Sequence, residues 1–389
     1  MKLIKFSALI LCMSLLMFSA AGCGSSDGDD NYPNGGGNET PGGSHSDDHQ
    51  HDDSPGFHIV DFDAAIDFFP PDTVMFRSDT LTITWSELYV FLFGMVSNLV
   101  QAYGPSLDWT EEFDITATLA DAVLEYATEE ALSFMSISYG IDSVGLTISD
   151  EALNEFNEEL LILIEEYGGR EVFEDTLRIN GGFYDLDVFE KLFKIEFSLG
   201  FLINELYGED ASSFPDDKVA EYASQNGYMM AMHILLQKTE DDDTALKEIE
   251  DILMQLEEYT GSDDLLDVFT ELMFEHSEDP GGLMSFPKGY LFQHTDMVAS
   301  FSDACAALEI GQLSGIVETD YGYHIILRLP IDYDSTPISF SYEGIYRTLR
   351  QHVAFIAFDA LQQEWRNALN VMFSPEYDSI DLAVIFKVQ

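Results

Sequence analysis

Histidine is the one side chain whose ordinary pKa puts its charge change near neutral pH, so its placement is the first clue to chemistry. Two histidines interrupt short apolar runs: His233 in Met229-Met-Ala-Met-His-Ile-Leu-Leu236, and His324 in Gly322-Tyr-His-Ile-Ile-Leu-Arg328. Each imidazole could serve a reacting group as acid, base or hydrogen-bond partner, or could be a satisfied core residue. Between them lies His276-Ser-Glu-Asp-Pro-Gly-Gly282, where Asp279 precedes a Pro-Gly turn. Met297 and Phe301 are four residues apart, a spacing that brings side chains together on one helix face, either as core or as a pocket wall. Cys305 sits in the apolar helical context Ser302-Asp-Ala-Cys-Ala-Ala-Leu308, which favours a buried small hydrophobe over a reactive thiol.

The elements that must hold these groups can be read from periodicity. Met229–Leu236 reads as a buried strand, followed by two helical stretches. Gly289-Tyr-Leu-Phe292 reads as a short strand, and Met297–Phe301 as part of a helix. Gly311–Arg328 holds two β-branched runs around Thr319-Asp-Tyr-Gly322, the pattern of an antiparallel hairpin with Gly322 free to take a positive φ.

This order of motifs, from the His-Ile-Leu strand through the Ser-x-Asp-Pro-Gly loop and the Met-x-x-x-Phe helix to Val-x-Thr-x-x-Gly-x-His-Ile-Ile, resembles a parvulin-type (PpiC-like) peptidyl-prolyl cis-trans isomerase. The resemblance covers roughly a hundred residues and implies a small antiparallel sheet wrapped by helices. It assigns catalytic positions to His233, Asp279 and His324, and a proline slot to Leu291, Met297 and Phe301. It implies no cofactor and no metal. Some parvulins carry Cys where this chain has Asp279, which argues for an electrostatic and hydrogen-bonding role over nucleophilic attack. Two departures stand out: the insert Leu283-Met-Ser-Phe-Pro-Lys288, and Lys238-Thr-Glu-Asp-Asp-Asp243 where phosphate-directed parvulins are basic. The second predicts no preference for phosphorylated substrates.

Met1–Lys5 is positive, Phe6–Phe18 mostly apolar, and Ser19-Ala-Ala-Gly-Cys23 a small-residue cleavage site, together a secretory signal. Cys23 after Ala-Gly resembles a bacterial lipobox, which implies cleavage before Cys23, lipid attachment there, and an extracytoplasmic place on the cell membrane. The other reading is an ordinary secreted chain. Gly24–Gly56 has almost no apolar residues and reads as a flexible tether. Its His45, His49, His51 and the following His58 alternate with aspartates, which could bind zinc, nickel or copper weakly or merely form a solvated acidic spacer. With Cys12 and Cys23 accounted for, Cys305 has no partner for an intramolecular disulfide.

The chain has 389 residues with 16 Lys plus Arg against 72 Asp plus Glu, a net charge of −56, which excludes nucleic acid as a natural partner. Such a surface suits basic segments of unfolded clients, counter-ions, or simply solubility. Hydrophobic residues make up 46%, with 29 Phe and 18 Tyr, enough for more than one core.

Asp72–Trp85 reads as a hairpin turning at Ser78-Asp79 and leading into a helix whose Leu88–Val100 portion is apolar nearly all round, yet too short to span a membrane. This opening resembles secreted foldases of the PrsA and SurA type. Further helices are expected from an Asp114 cap to about Ser138, from Ser149 to Gly168-Gly169, from Asp185 to Gly208, over Asp216–Ser224, and from Ile345 to near Ser374-Pro375. The alternation of Ile380, Leu382, Val384, Phe386 and Val388 predicts a final strand.

The expected fold is α+β, a parvulin domain inserted in a mainly α-helical chaperone domain. The expected segments are 1–22 signal, 23–56 tether, 57–225 helical domain, 226–332 isomerase, and 333–389 a helix and strand returning to the helical domain. The expected function is an isomerase and chaperone for secreted proteins, without covalent catalysis. A rival is a holdase that binds unfolded proline-containing segments and barely catalyses.

Overall fold

The computed structural model describes residues 62–79, 81–114, 117–238, 242–342 and 347–386. Cys23, the tether and its histidines lie outside the described residues. The architecture is α+β and divides into two compact units: one from the chain up to Leu199 and again from Gln362, the other Gly200–Leu361.

In the first unit, helix α1 (Phe62–Ile66) precedes a hairpin of β1 (Val74–Arg77) and β2 (Thr82–Thr84). Its turn is closed by Ser78, whose amide donates to the Leu81 carbonyl while its hydroxyl accepts from the Leu81 amide. At the start of helix α2 (Trp85–Tyr103) the Glu87 carboxylate accepts from the Thr84 amide, and the Thr84 hydroxyl pairs with that of Ser86. Buried Glu87 also pairs with Lys191. Trp85 is fully buried and donates its indole N–H to the Ile66 carbonyl at 2.7 Å.

Helix α3 (Leu119–Val144) is capped by Thr118 and not by Asp114. Asp114 instead closes the preceding turn by accepting from the Ala117 amide, and the helix runs past Ser138 to a left-handed Gly145. Ser149 caps α4 (Asp150–Glu166), which stops before Gly168-Gly169. The next helix, α5 (Arg170–Gly181), escapes sequence reading because it buries little more than Phe173 and Leu177. Helix α6 (Leu186–Tyr207) then runs to Gly208, with the Asp185 side chain accepting from the Val188 amide.

The second unit begins within α6 and holds α7 (Asp216–Gln225), β3 (Met229–Gln237), α8 (Asp242–Glu257), α9 (Leu265–His276), β4 (Tyr290–Phe292), α10 (Ala299–Ala306), β5 (Val317–Thr319), β6 (Gly322–Leu329) and α11 (Ile338–Tyr342). The four strands form an antiparallel sheet in the order β4-β3-β6-β5. Side chains alternate across a strand, so the sheet sorts its residues by parity. Met232, Ile234, Leu236, Tyr323, Ile325 and Leu327 pack under α8 and α9. Met229, Ala231, Tyr290, Phe292 and Ile326 face α10 on the other side.

Helix α12 (Leu349–Ala368) begins in this unit, where Leu349 and Val353 pack with Val219, Ala223, Met230 and Leu291. Arg350 anchors its start, donating to Asp334, Asp216 and the Phe214 carbonyl. The compact unit is thus larger than 226–332, because apolar residues of α7 and α12 have their partners on it.

From Gln362 the chain packs against α3 of the first unit. Gln362 donates to the Ser133 carbonyl, Arg366 pairs with Glu129, and Trp365 lies so close to Gly140 that any side chain there would collide with its ring. The expected helix to Ser374-Pro375 ends earlier, at Ala368, and Asn370 takes a positive φ. Strand β7 (Met372–Phe373) then pairs with β1 at Arg77 and Phe76. The strand expected over 380–388 is corrected by α13 (Leu382–Ile385), with Asp381 capping its amides. Leu382, Ile385 and Phe386 are buried at helical spacing while Val384 is 53% exposed, so burial follows the 3.6 period and overrides the alternation.

Candidate active site

His233 is in the middle of β3 and His324 near the start of β6. In the β3–β6 register His233 lies opposite Ile326 and His324 opposite Leu235, so the two are diagonal neighbours on one face. Their rings lie 5.2 Å apart at 22°, with Nδ1 to Nδ1 at 3.1 Å. Phe301, buried on α10, turns its ring nearly perpendicular to both, 5.1 Å from His233 and 5.5 Å from His324.

Asp279 reaches this pair because its loop takes over the open edge of β3 where β4 stops. Glu278 donates its amide to the Leu235 carbonyl at 2.8 Å, Ser277 Oγ accepts from the Leu235 amide at 3.1 Å, and Glu278 Oε2 accepts from the Gln237 amide at 2.6 Å. The carboxylate then accepts from His233 Nε2 at 2.7 Å, from the Gly282 amide at 2.8 Å and from the Gly281 amide at 3.2 Å. A Cβ on Gly282 would lie 2.8 Å from Asp279 Oδ2, so the Pro280-Gly-Gly turn must lack side chains to close on the carboxylate. Tyr290 on β4 donates its hydroxyl to the same Oδ2 at 2.6 Å.

Burial alone would raise the Asp279 pKa, but the hydrogen bonds of His233 and Tyr290, the His233 charge and the Gly282 amide outweigh it and hold the carboxyl far below its usual range. An ionised carboxylate only accepts, so the proton between them sits on His233 Nε2. His324 is pushed down to about 3 by burial and by the charge of His233, against the pull of Asp279, and is therefore neutral at pH 7. A neutral His324 carries one ring proton. Either its Nδ1 donates to His233 and its Nε2 accepts from the Thr319 hydroxyl, 2.8 Å away, or its Nε2 donates to Thr319 and its Nδ1 accepts from a charged His233. The two arrangements differ by one proton and need no movement of heavy atoms.

Of the residues expected to form a proline slot, Phe301 and Met297 belong to the same apolar cluster as Tyr290, Phe292, Ile326 and Val317. Met297 differs in local structure: it is extended, just before the Val298 cap of α10, so it does not share a helix face with Phe301. Leu291 is corrected. It pairs with Met230, and like Met230 it points to the opposite face, packing with Val219, Ala223 and Leu349. The period of two leaves Tyr290 and Phe292, its neighbours in the chain, on the histidine face. Tyr290 and Thr319 are the members of the site that sequence reading missed. Parity offered a signal: Tyr290 pairs with Ala231, two residues from His233, and Thr319 is two residues from Val317, which pairs with His324.

Residues 233–329, the span from the first of these histidines to the end of β6, match the family described as Rotamase: PPIC-type PPIASE domain. They form a parvulin-type isomerase domain. Beyond that domain, the chain is similar to Foldase protein PrsA of Clostridium botulinum (strain Loch Maree / Type A3), 23% identical over 286 residues, 71% of this chain and 80% of that one. It is 31% identical over 220 residues to Foldase protein PrsA of Halalkalibacterium halodurans, 53% of this chain and 56% of that one, so it spans little more than half of this second relative. The crystal structure of PrsA from Bacillus subtilis matches 77% of this chain and 92% of its own, at 19% identity and a TM-score of 0.23. In the parvulin-type domain Cys305 is fully buried, with Arg328 donating to its sulfur at 3.2 Å, and burial raises its pKa. Among the described residues no group of His, Cys, Asp and Glu has the make-up of a metal site, and no helix is long and apolar enough to cross a membrane.

Proposed function

We propose that the chain is a peptidyl-prolyl cis-trans isomerase and chaperone for secreted proteins, held on the extracytoplasmic face of a membrane by lipid on Cys23. The observation that carries the reading is the unbroken hydrogen-bonded line Asp279, His233, His324, Thr319 lying against the Phe301 ring on one face of the sheet. Rotating a peptide bond means breaking its resonance against a barrier of about 18 to 20 kcal/mol. At X-Pro both planar isomers are populated and their exchange is slow enough to limit folding. A catalyst must therefore bind the twisted amide more tightly than either planar form.

In this site Phe301 and Met297 hold the proline ring, fully buried Phe292 backs Phe301 from the core, and Leu291 takes no part. As the carbonyl rotates out of conjugation its oxygen and the ring nitrogen change in basicity, and a network that can hold one proton more or one fewer, exchanged with solvent, without moving its heavy atoms meets that change. Asp279 and His233 set the charge beside the carbonyl; neutral His324 and Thr319 hold the far end of the line. No bond to the protein forms.

A refolding assay limited by prolyl isomerisation tests the reading. The chain speeds the slow phase, and a Phe301→Ala, His324→Ala variant loses that effect while still suppressing aggregation of the same client. If the intact chain suppresses aggregation without speeding the slow phase, the holdase reading replaces this one. Peptides with phosphoserine before proline are turned over no faster than unmodified ones, because the sequence after Lys238 carries the acidic run Glu240-Asp-Asp-Asp243, which repels a phosphate.

A further inference from the structure

We propose that Tyr290 is a positioning residue of the isomerase site: its hydroxyl orients the Asp279 carboxylate and, through it, sets where the proton of the histidine pair rests. The inference builds on the isomerase reading above. Asp279 Oδ2 takes hydrogen bonds from His233, Tyr290 and Gly282, whereas Oδ1 has the longer Gly281 contact. The phenol therefore shares the oxygen that holds the imidazole, and every change in one bond is felt in the other.

The surrounding backbone is shaped for this contact. Tyr290 and Ala231 are register partners, so its ring rises two residues from His233 and meets that imidazole edge-on at 5.5 Å and 87°. Phe286 backs the ring at 4.8 Å, leaving Tyr290 only 9% exposed. A side chain at Gly281 would collide with the Tyr290 hydroxyl, so the turn that supplies amides to Asp279 also leaves room for the phenol.

Among the described residues the groups facing Asp279 are few. His233 comes from β3 with His324 of β6 behind it, Tyr290 from β4, and the Gly281 and Gly282 amides from the turn. Glu278 directs its carboxylate to the Gln237 amide, and α10 contributes the uncharged Phe301 ring to the histidines. A donor to an ionised carboxylate favours the state with fewer protons. Removing it makes protonation of the coupled group easier, so the acid limb of activity moves to higher pH.

The test is the pH profile of kcat/KM for an X-Pro peptide with the full chain, its Tyr290→Phe variant, and both again in an Asp279→Asn background. Tyr290→Phe keeps the ring, its packing and its contact with His233. The expected result is a 3- to 10-fold lower kcat/KM near neutral pH, an order-of-magnitude figure for one hydrogen bond to a reacting group's partner, and an acid limb raised by about 0.5 to 1 unit. In the Asp279→Asn background the same change has no further effect. An unmoved limb, or an equal loss in both backgrounds, makes Tyr290 a packing residue and overturns the inference alone. An intact chain without isomerase activity overturns the reading beneath it as well.

Discussion

At the scale of single residues the site is a balance between burial and partners. His324 is buried and neutral, with a folded pKa of about 3 against an ordinary value of about 6.5. Between those values the unfolded chain binds a proton that the folded chain does not, so stability falls as pH drops through this window and is unaffected by His324 above it. Asp279 acts in the same direction at lower pH: its depressed pKa contributes stability that is lost only as the carboxyl is protonated. A His324→Gln variant should accordingly lose up to about 1.4 kcal/mol of pH dependence per unit between about pH 6 and pH 4. Urea unfolding of both chains across that range checks it; equal slopes for the two would contradict a neutral buried His324.

At the scale of elements the hairpin of β5 and β6 does most to place the site, because it supplies both Thr319 and His324. Its turn has one fixed demand. Gly322 has φ 149° and sits against the backbone of Leu236, so a side chain there would strike the Leu236 carbonyl. A Gly322→Ala substitution should destabilise by roughly 2 to 4 kcal/mol, through strain and a parted β3–β6 ladder, with loss of activity in parallel. Thermal unfolding measures the first and peptide turnover the second. A variant of unchanged stability would mean that the turn relaxes at no cost. The edge of β3 teaches the complementary lesson. Among the described residues no strand covers it past Ala231, and the loop of Ser277 and Glu278 does so instead, which puts the neighbouring Asp279 within 2.7 Å of His233.

At the scale of the whole molecule the net charge of −56 governs encounter more than fold. A basic unfolded client should be held more tightly than an acidic one of equal hydrophobicity, and the difference should shrink as salt rises, since exposed charges are screened over about 10 Å at 0.1 M. Aggregation suppression measured against ionic strength decides this; a preference that survives high salt would place recognition in apolar contacts. The amino-acid sequence alone determined what depends on neighbours in the chain: the α+β class, the Gly322 turn, the Ser149 cap, and the β3 run that carries His233. Those follow from local sterics and periodicity. What only the tertiary structure decided depends on partners far apart in the chain. Leu291 faces away from the histidines because β4 pairs with β3 in that register, and Thr118 caps α3 because Asp114 is spent on its own turn. Tyr290 reaches Asp279 because two glycines let a turn close on it. Buried area, not pattern, made a helix of the last apolar residues, since alternation and helical spacing were both present and only packing could choose between them.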